Sequence, residues 1–390
     1  MSRRPTGRGI VVTTVGAMIL LAAASAQAGW LFVIAVGVLG AVLGSAFVPH
    51  RLSSLWIERQ IPSRAVAGDA IEVALTATNR GSKPTPPVRI EDLSSAFPVM
   101  CESLAPGTSA TSSAPRHAPR RGIFDGGQVR IACGAPFGFI ASVRTVTVES
   151  PITVVPPTVE LDSLSWITGG GDASEGGHAV RSSSGEYLGV RDYRPGDPRR
   201  AVHWRSSARA GTLIVREFED VAAPRPTLLI HGADAGTPPD SPYEAIVTAA
   251  ASIARHLVRS GHDVHLVRTG PAGVQHLVDA PAPEILEWLA GCKPEQSPLS
   301  HAVAGALARS ERDAVVVVLT TTSGTTPADL AGALDHIASA GGRPALVIAR
   351  SATWVQTANT AERDVVAAAR GRGPLRILAK GEDMAACLAG

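Results

Sequence analysis

Two long apolar runs open the chain. Ile10 to Ala28 and Trp30 to Val48 are each nineteen residues without a formal charge. At about 1.5 Å per helical residue each reaches about 28 Å, close to the hydrocarbon thickness of a bilayer. Neither run carries the polar face that a soluble core helix keeps. After residue 51 the pattern shifts to a period of two. Ile71, Val73, Leu75 and Ala77 alternate with Glu72, Ala74, Thr76 and Thr78, and Asn79-Arg80-Gly81-Ser82 then turns the chain. Val88 to Ile90, Val129 to Ala132, Arg144 to Val148 and Ile152 to Val155 predict further strands. Frequent Pro and Gly breaks favour a small antiparallel β-sandwich. Ser109 to Arg121, rich in Ser, Pro and Arg, reads as a solvated loop, and the Gly/Ser-rich stretch Thr168 to Ser184 as a mobile one.

From Thr227 onward short apolar runs alternate with helical segments. Thr227 to Ile230, Val264 to Val267, Val315 to Leu319, Ala345 to Ile348 and Leu375 to Leu378 predict strands. Tyr243 to Arg259, Pro283 to Leu289, Ala302 to Arg309, Ala328 to Ala338 and Ala361 to Ala369 predict helices. Continuous apolar strands between helices imply a parallel sheet covered on both faces, a doubly wound α/β domain. The organisation expected is a transmembrane helical hairpin over 1–50, a β-sandwich over 51–160, a loop and charged segment over 161–225, and an α/β domain over 226–390.

Charge orients the hairpin. Arg3, Arg4 and Arg8 precede the first run, while His50, Arg51, Arg59 and Arg64 follow the second. Both flanks are positive and the turn at Gln27-Ala28-Gly29 is uncharged, so both flanks are expected in the cytoplasm, with residues 10–48 in the lipid bilayer. Ala26-Gln27-Ala28 also reads as a signal-peptidase site, but the second run would still span with its Arg-rich end inside. The net charge is +2, with no basic stripe interleaved with aromatics, which argues against nucleic-acid binding. Cys101, Cys133, Cys292 and Cys387 form no C-x-x-C pair, so neither structural zinc nor a disulfide is expected.

The densest chemistry lies in Gly185 to Asp220, GEYLGVRDYRPGDPRRAVHWRSSARAGTLIVREFED. Thirteen of its thirty-six residues are charged, seven Arg and six Asp or Glu, in a chain that is 18% charged. Tyr187, Tyr193, Trp204 and the run Leu213-Ile214-Val215 argue for an ordered scaffold rather than exposed disorder. The segment resembles the signature of the bacterial family called domain of unknown function 58. The matching residues are Gly185-Glu186-Tyr187, Arg191-Asp192-Tyr193-Arg194-Pro195-Gly196-Asp197, His203-Trp204-Arg205-Ser206-Ser207-Ala208-Arg209 and Val215-Arg216-Glu217-Phe218. A second cluster agrees: Arg121-Gly122-Ile123-Phe124, then Ala135-Pro136-Phe137-Gly138-Phe139, similar to that family's Asp-Pro-Phe-Gly-Leu. The resemblance implies a bacterial plasma-membrane protein with two membrane helices, a small β domain and a von Willebrand factor A-like domain. It also implies a MoxR-type AAA+ ATPase as partner.

In von Willebrand A-like domains the first strand ends in Asp-x-Ser-x-Ser, whose oxygens help hold a divalent metal. Here His231 stands in the Asp position and Ala233 and Ala235 in the Ser positions. Asp234 would need a shifted register, and Thr320-Thr321-Thr322-Ser323 follows a later strand where an acidic ligand is expected. No metal and no cofactor are therefore expected. No nucleophile elbow or H-E-x-x-H pattern is present either. Glu186, Asp192 and Asp197 could form an acid/base group, yet neighbouring arginines would keep them ionised and poor as acids.

Two roles fit the signature. Arg191, Arg205 and Arg209 could fork onto Glu186, Asp192 or Glu217 as an interdomain clamp, with Asp197 fixing a turn after Pro195-Gly196 and Trp204 supplying buried area beside Val202. Alternatively Glu186, Arg191, Asp192, Tyr193, Gly196, Asp197, Trp204, Arg205 and Arg209 face a partner, since arginines and aromatics dominate binding hot spots. The expected function is a non-catalytic membrane-anchored scaffold or adaptor for an AAA+ ATPase in envelope or stress-related assembly. An enzyme using the Glu186/Asp192/Asp197 cluster and a metal-dependent ligand-binding domain are the alternatives.

Overall fold

The computed structural model describes residues 2–47, 52–94, 97–118, 120–168, 187–194, 202–218, 224–236, 238–270, 273–355 and 360–389. The chain divides into two compact units, Met1–Val155 and Pro156–Gly390.

In the first unit β1 (Ser2–Pro5) leads into α1 (Gly7–Ala26) and α2 (Gly29–Phe47). Both helices are long and apolar enough to cross a membrane. They turn at Gln27, which takes the left-handed conformation (φ 49°), its N–H donating to the Ala23 carbonyl. The buried residues of α1 are Gly9, Gly16 and Ala23, a seven-residue spacing. A Cβ on Gly16 would lie 3.0 Å from a Leu39 methyl, so glycine there lets the two helices approach closely.

The rest of this unit is β structure: β2 (Leu55–Gln60), β3 (Arg64–Val66), β4 (Ala70–Asn79), β5 (Val88–Asp92), β6 (Phe97–Cys101), β7 (Ser109–His117), β8 (Gly122–Cys133) and β9 (Ile140–Val155). One sheet runs β1-β9-β8-β5-β6, with β3 also on β9; the other runs β2-β4-β7. Val73, Leu75 and Ala77 turn inward as the alternation predicts. They share one core with Leu55, Ile57, Ile90, Phe97, Val129 and Ile131, which come from both sheets. Within that core Arg59 donates to the fully buried Asp92 carboxylate at 2.7 Å.

Three expectations need correction here. Ser109 to Arg121 is not a loop, because Ser109–His117 forms β7 along β4. Pro115 is tolerated there because β7 is an edge strand. Arg144 to Val148 and Ile152 to Val155 are parts of one sixteen-residue strand, whose pairing with β8 shifts register between Phe124 and Gly126. The pairing is also not wholly antiparallel, since β3 runs parallel to β9.

The second unit begins with Val159, Leu161, Leu164 and Ile167, the last within α3 (Ser165–Thr168), all packed into its core. A two-stranded sheet of β10 (Tyr187–Asp192) and β11 (Ile214–Phe218) brackets α4 (Trp204–Ala210). The remainder is β12 (Thr227–Ile230), α5 (Pro242–Arg259), β13 (His265–Gly270), β14 (Gly273–Val278), α6 (Ala282–Ala290), α7 (Leu299–Leu307) and β15 (Val315–Thr321). It continues through α8 (Pro327–Ser339), β16 (Arg343–Ala349), α9 (Ala352–Val355), α10 (Thr360–Ala369), β17 (Leu375–Leu378) and α11 (Met384–Ala389). The sheet order is β14-β13-β12-β15-β16-β17, all parallel except β14. Val315, Val317 and Leu319 pack with α5 and α6 on one face, while Val316 and Val318 pack with α7 and α8 on the other. Burial on both faces is why the Val315–Leu319 run is apolar without alternation.

Candidate functional site

The signature forms a short strand pair carrying one helix. Tyr187 faces Phe218, and Arg191 faces Val215, across an antiparallel ladder with an irregularity near Gly189. Val202 bridges to Val215, and the two are nearly fully buried. His203 then caps α4, its Nδ1 accepting from the Ser206 N–H at 3.2 Å. Gly211, left-handed at φ 71°, ends the helix with its N–H on the Ser207 carbonyl. The buried Ser207 hydroxyl donates to the His203 carbonyl at 3.1 Å and accepts from the Ile214 N–H at 2.9 Å. Helix and strand are thus tied by the Ser207 hydroxyl and by the His203 N–H on the Ile214 carbonyl.

That scaffold pushes the large side chains outward. Trp204, expected to supply buried area, is 66% exposed, because the inward face of this two-turn helix is taken by Ser207. Arg205 and Arg209 are exposed, and among the described residues neither forms an ion pair. Arg191 is half-buried and donates to the Asp192 backbone carbonyl at 3.2 Å. Asp192 is exposed, Tyr193 is half-buried, and the Tyr193 N–H donates to the Leu213 carbonyl at 2.8 Å. Val190 and Leu213 add exposed apolar surface. Glu186, Gly196 and Asp197 lie outside the described residues, as does the Gly/Ser-rich stretch from 169 to 184. Of the three candidate acid/base carboxylates only Asp192 is therefore placed.

The second region is the carboxyl edge of the six-stranded sheet. His231, directly after β12, is buried, and its Nε2–H donates to the Ser297 carbonyl at 2.7 Å. Burial holds its pKa below the ordinary imidazole value, opposed by the Ser297 bond and the charges of Asp329 and Glu295. Its Nδ1 has no hydrogen-bond partner among the described residues. Thr321 donates to the Ala233 carbonyl at 2.8 Å, and the Ser323 hydroxyl lies 2.9 Å from that of Ser351. Gly324 packs so tightly on this loop that a Cβ there would sit 2.4 Å from the Ala233 nitrogen. The Thr321 and Ser323 hydroxyls thus both reach the Ala233 carbonyl, while the Thr322 hydroxyl turns to a carboxylate. Among the described residues no three His, Cys, Asp or Glu side chains converge on a point that could hold a metal.

Sequence reasoning missed Glu362 on α10. It is buried at this edge, accepting from Arg350 Nε at 2.6 Å, the Ala352 N–H at 2.9 Å and the Thr322 hydroxyl at 3.4 Å. Its partners lie ten to forty residues away, and no local spacing signals that. Beside it, a cleft of about 160 Å³ is lined by Asp240, Trp354, Lys380, Glu382, Met384 and Cys387. The Trp354 indole and the Lys380 ammonium both bind the Asp240 carboxylate, at 3.0 and 2.5 Å. Burial first, then Glu382, raises the Cys387 thiol above its ordinary pKa, which keeps it protonated and poorly nucleophilic.

No curated protein matches the chain. A solved structure, the CARDB domain of the PF1109 protein from Pyrococcus furiosus in complex with di-metal ions, aligns at 14% identity and a TM-score of 0.17. It covers 24% of this chain and 91% of that one. The model of the family described as "Protein of unknown function DUF58" matches residues 189–351, from the signature strand pair to the end of β16, and over this stretch, less than half of its length, the chain is similar to that family.

Proposed function

We propose that the chain is a member of this family and acts as a membrane-anchored, non-catalytic scaffold or adaptor, with the signature helix as its docking surface. The observation that carries the reading is Trp204, two-thirds exposed at the start of a helix capped at both ends, flanked by the exposed Arg205 and Arg209. A tryptophan used as internal packing is covered; one held open on an ordered helix beside exposed guanidinium groups fits a protein partner's hot spot. The resemblance supplies the partner's class, an AAA+ ATPase of the MoxR type. Strand order supports a doubly wound unit: numbered within the sheet, it is 3-2-1-4-5-6. The von Willebrand A-like assignment rests on the resemblance. The two apolar helices and the arginines on both flanks support a hairpin anchor in a bacterial plasma membrane, with both soluble units on the cytoplasmic side.

Copurification tests this. Full-length protein is extracted gently from native membranes as wild type, Trp204→Ala and Arg205→Ala, and bound proteins are identified by mass spectrometry. An AAA+ ATPase recovered with wild type and lost from both variants, at unchanged melting temperature, is the expected result. Equal recovery from all three overturns the assignment of the contact. An enzyme would instead reveal itself as loss of function from Asp192→Asn with binding and folding intact.

A further inference from the structure

The Ala135–Phe139 motif, which the docking reading leaves unused, sits where the first helix begins. It forms the turn between β8 and β9, with the Gly138 N–H on the Gly134 carbonyl and Gly138 left-handed at φ 75°. Thr6, the N-cap of α1, is fastened to it. The Thr6 hydroxyl accepts from the Gly9 N–H at 3.0 Å while donating to the Gly138 carbonyl at 2.6 Å, and the Thr6 N–H donates to the Phe139 carbonyl at 3.0 Å. Gly9 meets the same turn so closely that a Cβ there would lie 2.0 Å from the Phe139 oxygen. On the other side β1 runs along β9 from Pro5↔Ile140 to Ser2↔Val143, and Arg3 donates to the Ala46 carbonyl near the end of α2.

These contacts set the depth of the turn. Gly9 stands between Arg8, the last charge before the first apolar run, and Ile10, its first residue, which is 56% exposed. One residue is about 1.5 Å of helix, so the Phe139 backbone touches α1 at the level where charge gives way to hydrocarbon. At that level Phe137 is 58% exposed, stacked on Phe139 with ring centroids 5.7 Å apart. Phe47, the last residue of α2, is 81% exposed. Arg3, Arg4 and Arg8, on the segment that leads into α1, are exposed. Exposed apolar rings and arginines at a helix mouth fit the headgroup–acyl boundary of an anionic leaflet.

We propose that the Gly134–Phe139 turn is a membrane-interface anchor: Phe137 inserts among the lipids at the leaflet the helices enter, fixing the β unit on the bilayer rather than leaving it tethered. This rests on the hairpin spanning the membrane, and the test separates the two. Full-length protein with Cys387→Ser, the other cysteines being buried, carries a single spin label in anionic phospholipid nanodiscs. Labels go at Phe137→Cys, at Pro136→Cys as a second exposed position in the turn, at Val33→Cys, 74% exposed within α2, and at Asp69→Cys. Asp69 lies beyond β3, beside the far end of β9, up to about 50 Å along the strand from the turn. Collision rates with oxygen and with a water-soluble nickel chelate are compared. Oxygen exceeding chelate at 33 and 137, with the reverse at 69, is the expected result. Chelate exceeding oxygen at 136 and 137 while 33 stays oxygen-rich overturns the anchor and leaves the hairpin spanning. Chelate exceeding oxygen at 33 overturns both.

Discussion

Replacing His265 by glutamine removes a buried imidazole that resists protonation, and its effect on acid stability follows from the geometry. His265 opens β13 and is 2% exposed. Its Nε2 lies 3.0 Å from Nδ1 of His276 on β14, and its Nδ1 lies 3.3 Å from the Thr227 hydroxyl. One nitrogen of the His–His contact must present a lone pair, so the two rings cannot both be fully protonated in this arrangement. Arg225 and Arg309 add positive charge, while Asp279 and Glu311 partly offset it through the Arg225 pairs at 2.6 Å. Burial first, then the charge of His276, pushes the His265 pKa from 6.5 down to about 4. The unfolded chain therefore takes up this proton near pH 6.5 and the folded chain only near pH 4. Stability from this group is complete above pH 6.5 and declines as pH falls towards 4. The whole displacement amounts to about 3 kcal/mol, of which about 2 kcal/mol is lost between pH 7.5 and pH 5. Urea unfolding of the full-length protein in detergent, followed by tryptophan fluorescence at both pH values, reads it. Taking the difference between wild type and His265→Gln cancels the carboxylates and buried His231. If the two proteins lose the same stability on acidification, the reasoning about His265 is wrong.

Glycine positions offer a paired prediction. Gly324→Ala drives a Cβ to 2.4 Å from the Ala233 nitrogen and should destabilise the second unit by about 2 kcal/mol or more, whereas Gly332→Ala, in open space on α8, should stabilise by about 0.5–1 kcal/mol. Thermal melts of the two variants should therefore shift in opposite directions. Asp92→Ala strands the buried Arg59 guanidinium, leaving Ser150 at 2.8 Å as a neutral partner, and should cost the first unit about 3 kcal/mol or more in denaturant titration. Trp204→Ala, by contrast, removes an exposed ring and should leave unfolding within about 0.5 kcal/mol of wild type.

How far the fold was readable follows burial. Val315 to Leu319, buried on both faces, and Val73, Leu75 and Ala77, buried on one, announce themselves through apolar spacing. Among the strands missed, β7 and β14 are edge strands whose side chains are at most half-buried, so water rather than packing chose their residues, whereas β2 and β6 bury only two side chains each, too few for an alternation to stand out. The Gly/Ser-rich prediction and the turn at Pro195-Gly196-Asp197 fall outside the described residues. At the signature, residue types marked out the segment but not its facing. Seven helical residues make only two turns, too few for periodicity to reveal that Ser207 rather than Trp204 looks inward. His231 was legible as a polar residue at a strand end, but the Glu362 network was not, because a carboxylate from α10 reaches this edge from a distant part of the sequence.

The most direct test of docking at the signature helix is photocrosslinking in living cells, with a benzophenone amino acid at Trp204 in the full-length protein and, for comparison, at exposed Gly332 on α8. An adduct containing an AAA+ ATPase at position 204 and none at 332 is the predicted result. No adduct at 204, or the same adduct at both positions, would contradict the claim that this helix is where the partner binds.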